Sequence, residues 1–125
     1  MLAREIDQLL AELAPHVFAA SHEQCFVHND LHEMNVMCTS AGDLLALIDW
    51  GDAGWGDPTL DFVAVPLAMM SAALEGYGAD NRPKLGSFPE ARIIWAKVHD
   101  AMDEAIDRPG TPIPLTLFRT FLDSR

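Results

Sequence analysis

Leu2, Ile6, Leu9, Leu10 and Leu13 fall at i, i+4, i+7, i+8 and i+11, the spacing that lines one face of an α-helix. The pattern predicts a first helix over residues 2–14, which Pro15 closes because proline has no N–H to donate. Two short apolar stretches follow, residues 24–28 and 35–39, and read as brief strands on either side of a polar loop. Ser40-Ala41-Gly42-Asp43 has turn chemistry, and residues 44–49 are a continuous apolar run that ends in an acid. Residues 35–49 are therefore predicted to fold as a β-hairpin. Residues 50–56 hold three glycines and read as a loop. Asp57-Pro58 is an N-cap followed by proline at the first helical position. Leu60, Val63, Ala64, Leu67, Met70 and Leu74 then supply the apolar face of a helix over 58–75, which Pro66 must kink or split. Beyond the breaker-rich residues 76–83, Ile94, Val98, Met102 and Ile106 recur every four residues in a helix predicted for 88–107. A short terminal helix is predicted over 115–122. These elements make an α+β fold, mainly helical.

At 125 residues, half of them apolar, the chain has material for one core and is read as a single domain over 1–125. Its longest mostly apolar stretch, residues 62–74, is interrupted by Pro66 and Ser71 and falls short of the roughly 20 residues that span a bilayer. The N-terminus runs straight into a charged amphipathic pattern with no apolar signal region. A cytoplasmic location and no membrane partner are the expectations. Eight Lys and Arg against nineteen Asp and Glu give a net charge of −11, and no basic residue lies between Arg4 and Arg82. A protein that grips a phosphate backbone needs a basic stripe, so a nucleic-acid partner is excluded. Cys25 and Cys38 lack C-x-x-C spacing and read as buried, reduced thiols.

Residues 28–61 carry seven acids, and their arrangement matters more than their number. His28, Asp30 and Asn35 sit on the loop between two predicted strands, and Asp49 ends the strand after them. The hairpin folds Asn35 and Asp49 back beside one another at its open end. Oxygen ligands gathered in this way suit Mg²⁺, which takes one or two carboxylates and completes its shell with phosphate oxygens and water. Asp30, five residues before Asn35, is placed to accept a proton from a hydroxyl. Together these are the minimum for phosphoryl transfer, where catalysis is mostly positioning and charge neutralisation. A zinc set of His28, Asp30 and His32 is the weaker alternative, because a histidine at a strand edge is more often a hydrogen-bonded core residue. His16, His22 and His99 have no ligand-like companions. Asp52 and Asp57 read as turn and cap residues, Trp50 and Trp55 as core packing, and Asp100, Asp103, Glu104 and Asp107 as a solvated helix face.

His28-Asn29-Asp30-Leu31-His32 with Asn35, followed by Ile48-Asp49-Trp50-Gly51-Asp52-Ala53-Gly54 and Gly56-Asp57-Pro58, resembles the aminoglycoside phosphotransferase and choline-kinase-like family of protein-kinase-like fold. The resemblance implies Asp30 as catalytic base, Asn35 and Asp49 as magnesium ligands, and His28 and Asp61 as structural supports of the catalytic loop. His32, Glu33, Trp50 and Asp52 are candidates for the substrate cleft. Where the family commonly has Pro-Gly, this chain has Glu33-Met34. The implied cofactor is Mg²⁺ with ATP or GTP. The implied activity moves the γ-phosphoryl group to a hydroxyl of a small acceptor, and the acidic balance favours a cationic one. The resemblance covers residues 2–75 and implies the C-terminal lobe of that fold, with the hairpin bearing the catalytic and metal-binding motifs. In that family a preceding lobe carries a phosphate-covering loop and a strand lysine. Here 27 residues precede His28 and Arg4 is their sole basic residue, so the chain reads as the C-terminal lobe without the N-terminal nucleotide-binding lobe. Two readings follow: a phosphotransferase completed by a partner chain, or an inactive lobe that serves as a binding or dimerisation domain. Both leave an apolar face uncovered, which predicts a homodimer or a second chain over that face.

Overall fold

A computed structural model describes residues 2–125. In chain order its elements are α1 (Leu2–Phe18), β1 (Cys25–Val27), a 3-10 helix (Glu33–Asn35), β2 (Val36–Cys38), β3 (Leu44–Leu47), β4 (Gly54–Gly56), a second 3-10 helix (Pro58–Phe62), α2 (Leu67–Tyr77), a third 3-10 helix (Arg82–Leu85), α3 (Pro89–Asp107) and α4 (Leu115–Asp123). The fold is α+β and mainly helical. It separates into two compact units, one made of the chain up to Ser21 together with Gly86–Arg125, the other of His22–Leu85.

The first unit is helical. Helix α1 buries Ile6, Leu9 and Leu13, the stripe read from the sequence, but it does not stop at Pro15. Proline there costs the helix one hydrogen bond, and the next turn still closes, with Ala19 N–H donating to the Pro15 carbonyl at 3.3 Å. Ring contacts hold that extra turn: His16 lies 4.6 Å from Phe88, and Phe18 meets Trp95 edge-on at 5.5 Å. Phe88 takes a left-handed conformation (φ 50°), so α3 begins at Pro89, whose fixed φ suits the first helical position. Helix α3 buries Arg92, Ile93, Ile94 and Val98, yet Ile106 is 74% exposed, so the four-residue stripe runs past the end of the core. Helix α4 buries Leu115, Phe118 and Phe121 and is tied to α1 by Arg119 Nη1 on Glu12 Oε2 at 2.9 Å.

Asp100 on α3 has its carboxyl pushed above the usual range, first by desolvation and then by the neighbouring Asp103, against the pull of Lys97 and His99. The unfolded chain ionises this group more readily, so its charge opposes folding once the pH exceeds the ordinary carboxylate range and is irrelevant below it. Asp100→Asn is therefore expected to raise the thermal midpoint at neutral pH, with the gain vanishing in acid. Melts of both proteins across that range check it; a gain equal at every pH would contradict it.

The second unit contains two antiparallel two-stranded sheets, β1 with β4 and β2 with β3. The predicted hairpin is β2–β3, with Val36 opposite Leu47, Met37 opposite Ala46, and an irregularity between Met37 and Cys38. Thr39 N–H donates to the Asp43 carbonyl at 2.8 Å, and Gly42 closes the turn at φ +90°. Asn35 precedes β2 as the last residue of a 3-10 turn rather than opening the strand. The segment read as a loop over 50–56 contains β4, in which Gly54, Trp55 and Gly56 pair with Val27, Phe26 and Cys25. The helix predicted over 58–75 is split at Pro66, and α2 continues through Gly76 to Tyr77. Pro58, Thr59, Phe62, Met70, Leu74 and Leu85 are buried, and Phe62 meets Tyr77 edge-on at 5.5 Å.

Two burial expectations are corrected. Cys25 and Cys38 are free thiols, but Cys25 is half-buried and Cys38 exposed. Trp50 and Trp55 are not core residues: Trp55 is 76% exposed, and its cross-strand partner Phe26 is 56% exposed. Side chains alternate along β1, so with Val27 buried Phe26 must point outward, and the register sends Trp55 to the same side. Trp50 stacks on Phe26 at 6.2 Å and is also exposed. Among the described residues no helix is long and apolar enough to cross a membrane.

Candidate active site

The chain leaves β1 at His28 and turns sharply at Asn29, which adopts φ 67°, a left-handed conformation that asparagine tolerates better than most residues. One carboxylate holds this turn. Asp61 Oδ2 accepts from His28 N–H at 3.2 Å, and Asp61 Oδ1 accepts from Asn29 N–H at 2.8 Å. Asp61 rides on the 3-10 helix Pro58–Phe62, whose N-cap Asp57 accepts from both the N–H and the hydroxyl of Thr59, at 2.9 and 2.8 Å. The cap that was legible in Asp57-Pro58 thus also positions the residue that grips the loop. Asp57 further lies 3.7 Å from His22 Nε2.

His28 is 2% exposed, and both its ring nitrogens are engaged. Nε2 lies 2.7 Å from the Ile48 carbonyl oxygen, and Nδ1 lies 3.2 Å from Asp30 N–H. A carbonyl can only accept and a backbone N–H can only donate, so the proton sits on Nε2. Through this ring the loop is joined to the end of β3. Trp50 covers it with centroids 4.6 Å apart and is itself anchored by Nε1–H on the Leu47 carbonyl at 2.9 Å. With both nitrogens occupied His28 has no lone pair for zinc, and no group of three or more His, Cys, Asp or Glu among the described residues is placed to hold a metal ion. The zinc reading is not supported.

Asn35 is 5% exposed and spends its amide nitrogen inward. Nδ2 donates to the Asp30 carbonyl at 2.8 Å and to Asp30 Oδ2 at 3.3 Å. His32 Nδ1 accepts from Met34 N–H at 3.2 Å, which caps the 3-10 helix. Its proton is then on Nε2, which faces Asp30 Oδ1 at 3.5 Å. The 3.3 Å approach of Asn35 Nδ2 to His32 Nε2 is accordingly two donors sharing one carboxylate, not a bond between them. The Asp30 side chain is oriented from both oxygens by long contacts, which leave lone pairs for an incoming hydroxyl. Asn35 Oδ1 has no partner among the described residues. Because none of their buried side-chain polar atoms is left unpaired, this oxygen is not fully sealed from solvent.

Ile48 N–H donates to the Asn35 carbonyl at 2.9 Å, one rung beyond the Val36–Leu47 pair. The ladder therefore delivers Asp49 to the end of the sheet beside Asn35, as the hairpin length suggested. Asp49 has φ 60°, a left-handed conformation that costs most non-glycine residues on the order of 1 kcal/mol and that aspartate tolerates better than most. Its carboxylate is exposed and carries no hydrogen bond among the described residues. Asn35 Oδ1 and the Asp49 carboxylate are thus two oxygen donors without a hydrogen-bond partner among the described residues, one neutral and one charged, and their chemistry fits Mg²⁺. Asp52 is exposed in the turn after Asp49, and Glu33 is exposed on the first 3-10 helix; neither carries a side-chain bond among the described residues.

Two working parts are not evident from spacing alone. The left-handed turn at Asn29 has a weak sequence signal, an asparagine between two polar residues at a strand end. The link from His32 to Met34 and Asp30 depends on ring orientation, which spacing does not encode. Comparison with curated proteins and with solved structures returned no match. The profile of a phosphotransferase enzyme family matches residues 1–106, a span that contains the catalytic-loop motif, the hairpin, Asp49 and Asp61. As its resemblance to aminoglycoside phosphotransferases and choline-kinase-like enzymes implied, the chain belongs to this phosphotransferase enzyme family.

Proposed function

We propose that this chain acts as the C-terminal lobe of a protein-kinase-like fold and transfers the γ-phosphoryl group of ATP or GTP to a hydroxyl of a small acceptor. The observation that carries the reading is the division of labour on Asn35: its Nδ2 orients Asp30, while its Oδ1 is left without a partner among the described residues at the strand end that also presents Asp49. In this reading Asp30 takes the proton of the acceptor hydroxyl. The acceptor oxygen bonds to the γ-phosphorus, the bond from that phosphorus to the bridging oxygen breaks, and its electron pair leaves with the nucleoside diphosphate. Asn35 and Asp49 would hold magnesium, which when bound supplies charge neutralisation at the transferring group. His28 and Asp61 act through the loop as positioning residues. The test is transfer of labelled γ-phosphate from ATP or GTP to a panel of small alcohols, in wild type and in Asp30→Asn. Product formed by wild type and lost in the variant supports the reading; equal product from both overturns it.

A further inference from the structure

The second unit holds a pocket of about 350 Å³ beside the catalytic loop. Three segments line it: residues 31–33 of the loop, Val36 and Cys38 of β2, and residues 64–66 with Met69 around the start of α2. Pro66 is central to its shape. By breaking the predicted helix it leaves Ala64, Val65 and Pro66 between two helical pieces, where they form an apolar wall. His32 belongs both to the pocket lining and to the Asp30 contact, its Nε2 standing 3.5 Å from Asp30 Oδ1. One side chain, His32, therefore stands between the pocket and the Asp30 carboxylate.

Building on the phosphotransferase reading, we propose that this pocket receives the body of the acceptor, an alcohol with an aliphatic or aromatic skeleton and at most one cationic centre. Its hydroxyl reaches Asp30 past His32. The lining decides the class. Glu33 is the one carboxylate in it, enough for a single ammonium group. A polycationic, polyhydroxylated sugar would set its remaining polar groups against Val36, Ala64, Val65, Pro66 and Met69 with nothing to bond, a costly desolvation. An apolar skeleton gains by the same burial, in a pocket of the usual size for a small ligand.

Cys38 lines the pocket and Cys25 does not, so alkylation of the two thiols by N-ethylmaleimide, followed site by site with mass spectrometry, reads occupancy against an internal reference. Hexanol is the probe. It is expected to slow alkylation of Cys38 saturably, roughly tenfold at about ten times its Kd, and to leave Cys25 unchanged. Sorbitol and spermidine are expected to do nothing. Ala64→Phe, which fills the pocket, and Met69→Glu, a change at an exposed helix position, should each abolish protection in chains that keep the wild-type circular dichroism. An unchanged Cys38 rate, a parallel change at Cys25, or protection by spermidine instead of hexanol would overturn the proposal. A magnesium–ATP titration of the same samples separates the two levels. Nucleotide binding without protection overturns the pocket assignment alone, whereas protection without nucleotide binding overturns the phosphotransferase reading on which the acceptor role rests.

Discussion

Replacement of Asp30 by asparagine is expected to lower phosphoryl transfer by roughly 10² to 10⁴, the range lost with a general base, while leaving magnesium–nucleotide binding in place. The carboxylate offers lone pairs to Asn35 Nδ2 and His32 Nε2–H at once. An amide in its place still accepts from one of them but turns an N–H₂ toward the other, so two donors face each other and the loop is mildly destabilised. The larger loss is chemical, because an amide has no basic site for the acceptor proton. Comparing turnover with nucleotide affinity in the same variant separates these effects. Loss of nucleotide binding together with transfer would mean that Asp30 is a structural part of the nucleotide site rather than the base.

Asp61→Ala is expected to destabilise the protein by about 3 kcal/mol, the scale of two lost hydrogen bonds to a charged acceptor with one of the freed donors left partly buried. His28 N–H lies in part-buried surroundings and loses its acceptor outright, whereas Asn29 N–H is exposed and recovers water. The consequence reaches beyond stability. Asn29 keeps its left-handed conformation only while the flanking structure holds it there, and Asp30 is the next residue. Asp61→Asn retains one acceptor oxygen and should fall between wild type and alanine. Denaturant titration followed by tryptophan fluorescence measures the order; an alanine variant as stable as wild type would remove Asp61 from the support of the loop.

What could be read from the sequence was whatever depends on spacing and local chemistry. The hairpin was legible because Ser40-Ala41-Gly42-Asp43 separates two apolar runs, and the break at Pro66 because proline cannot sit inside a helix without removing a bond. The placement of Asp30 and Asn35 on one loop was legible as a motif, though not the bond between them, and the run ending in Asp49 placed that acid at the strand end. The rest depends on partners distant in sequence. Gly54-Trp55-Gly56 has no strand signature of its own and becomes β4 only because β1 supplies the other half of the ladder. Helix α1 outlasts Pro15 because rings from α3 and the residue before it pack on His16 and Phe18. Trp50 and Trp55 read as core residues by type, yet the β1–β4 register turns Trp55 outward, and Trp50 stacks on the equally exposed Phe26. The bonds that unite Asp61, His28, Asn29 and Ile48 join residues 20 to 33 positions apart. Only the family resemblance suggested that His28 and Asp61 support the loop.

The most direct measurement is a calorimetric titration of this chain with magnesium and ATP or GTP, repeated with Asp49→Ala. Asp49 has an exposed carboxylate that forms no bond among the described residues, so its removal should cost only the small penalty of alanine at a left-handed position. Saturable binding that requires magnesium and is abolished by chelation is expected, and it should be lost in the variant while the variant keeps the wild-type fold by circular dichroism. Nucleotide binding that persists in Asp49→Ala, or that ignores magnesium, would contradict a metal–nucleotide site at the end of the hairpin.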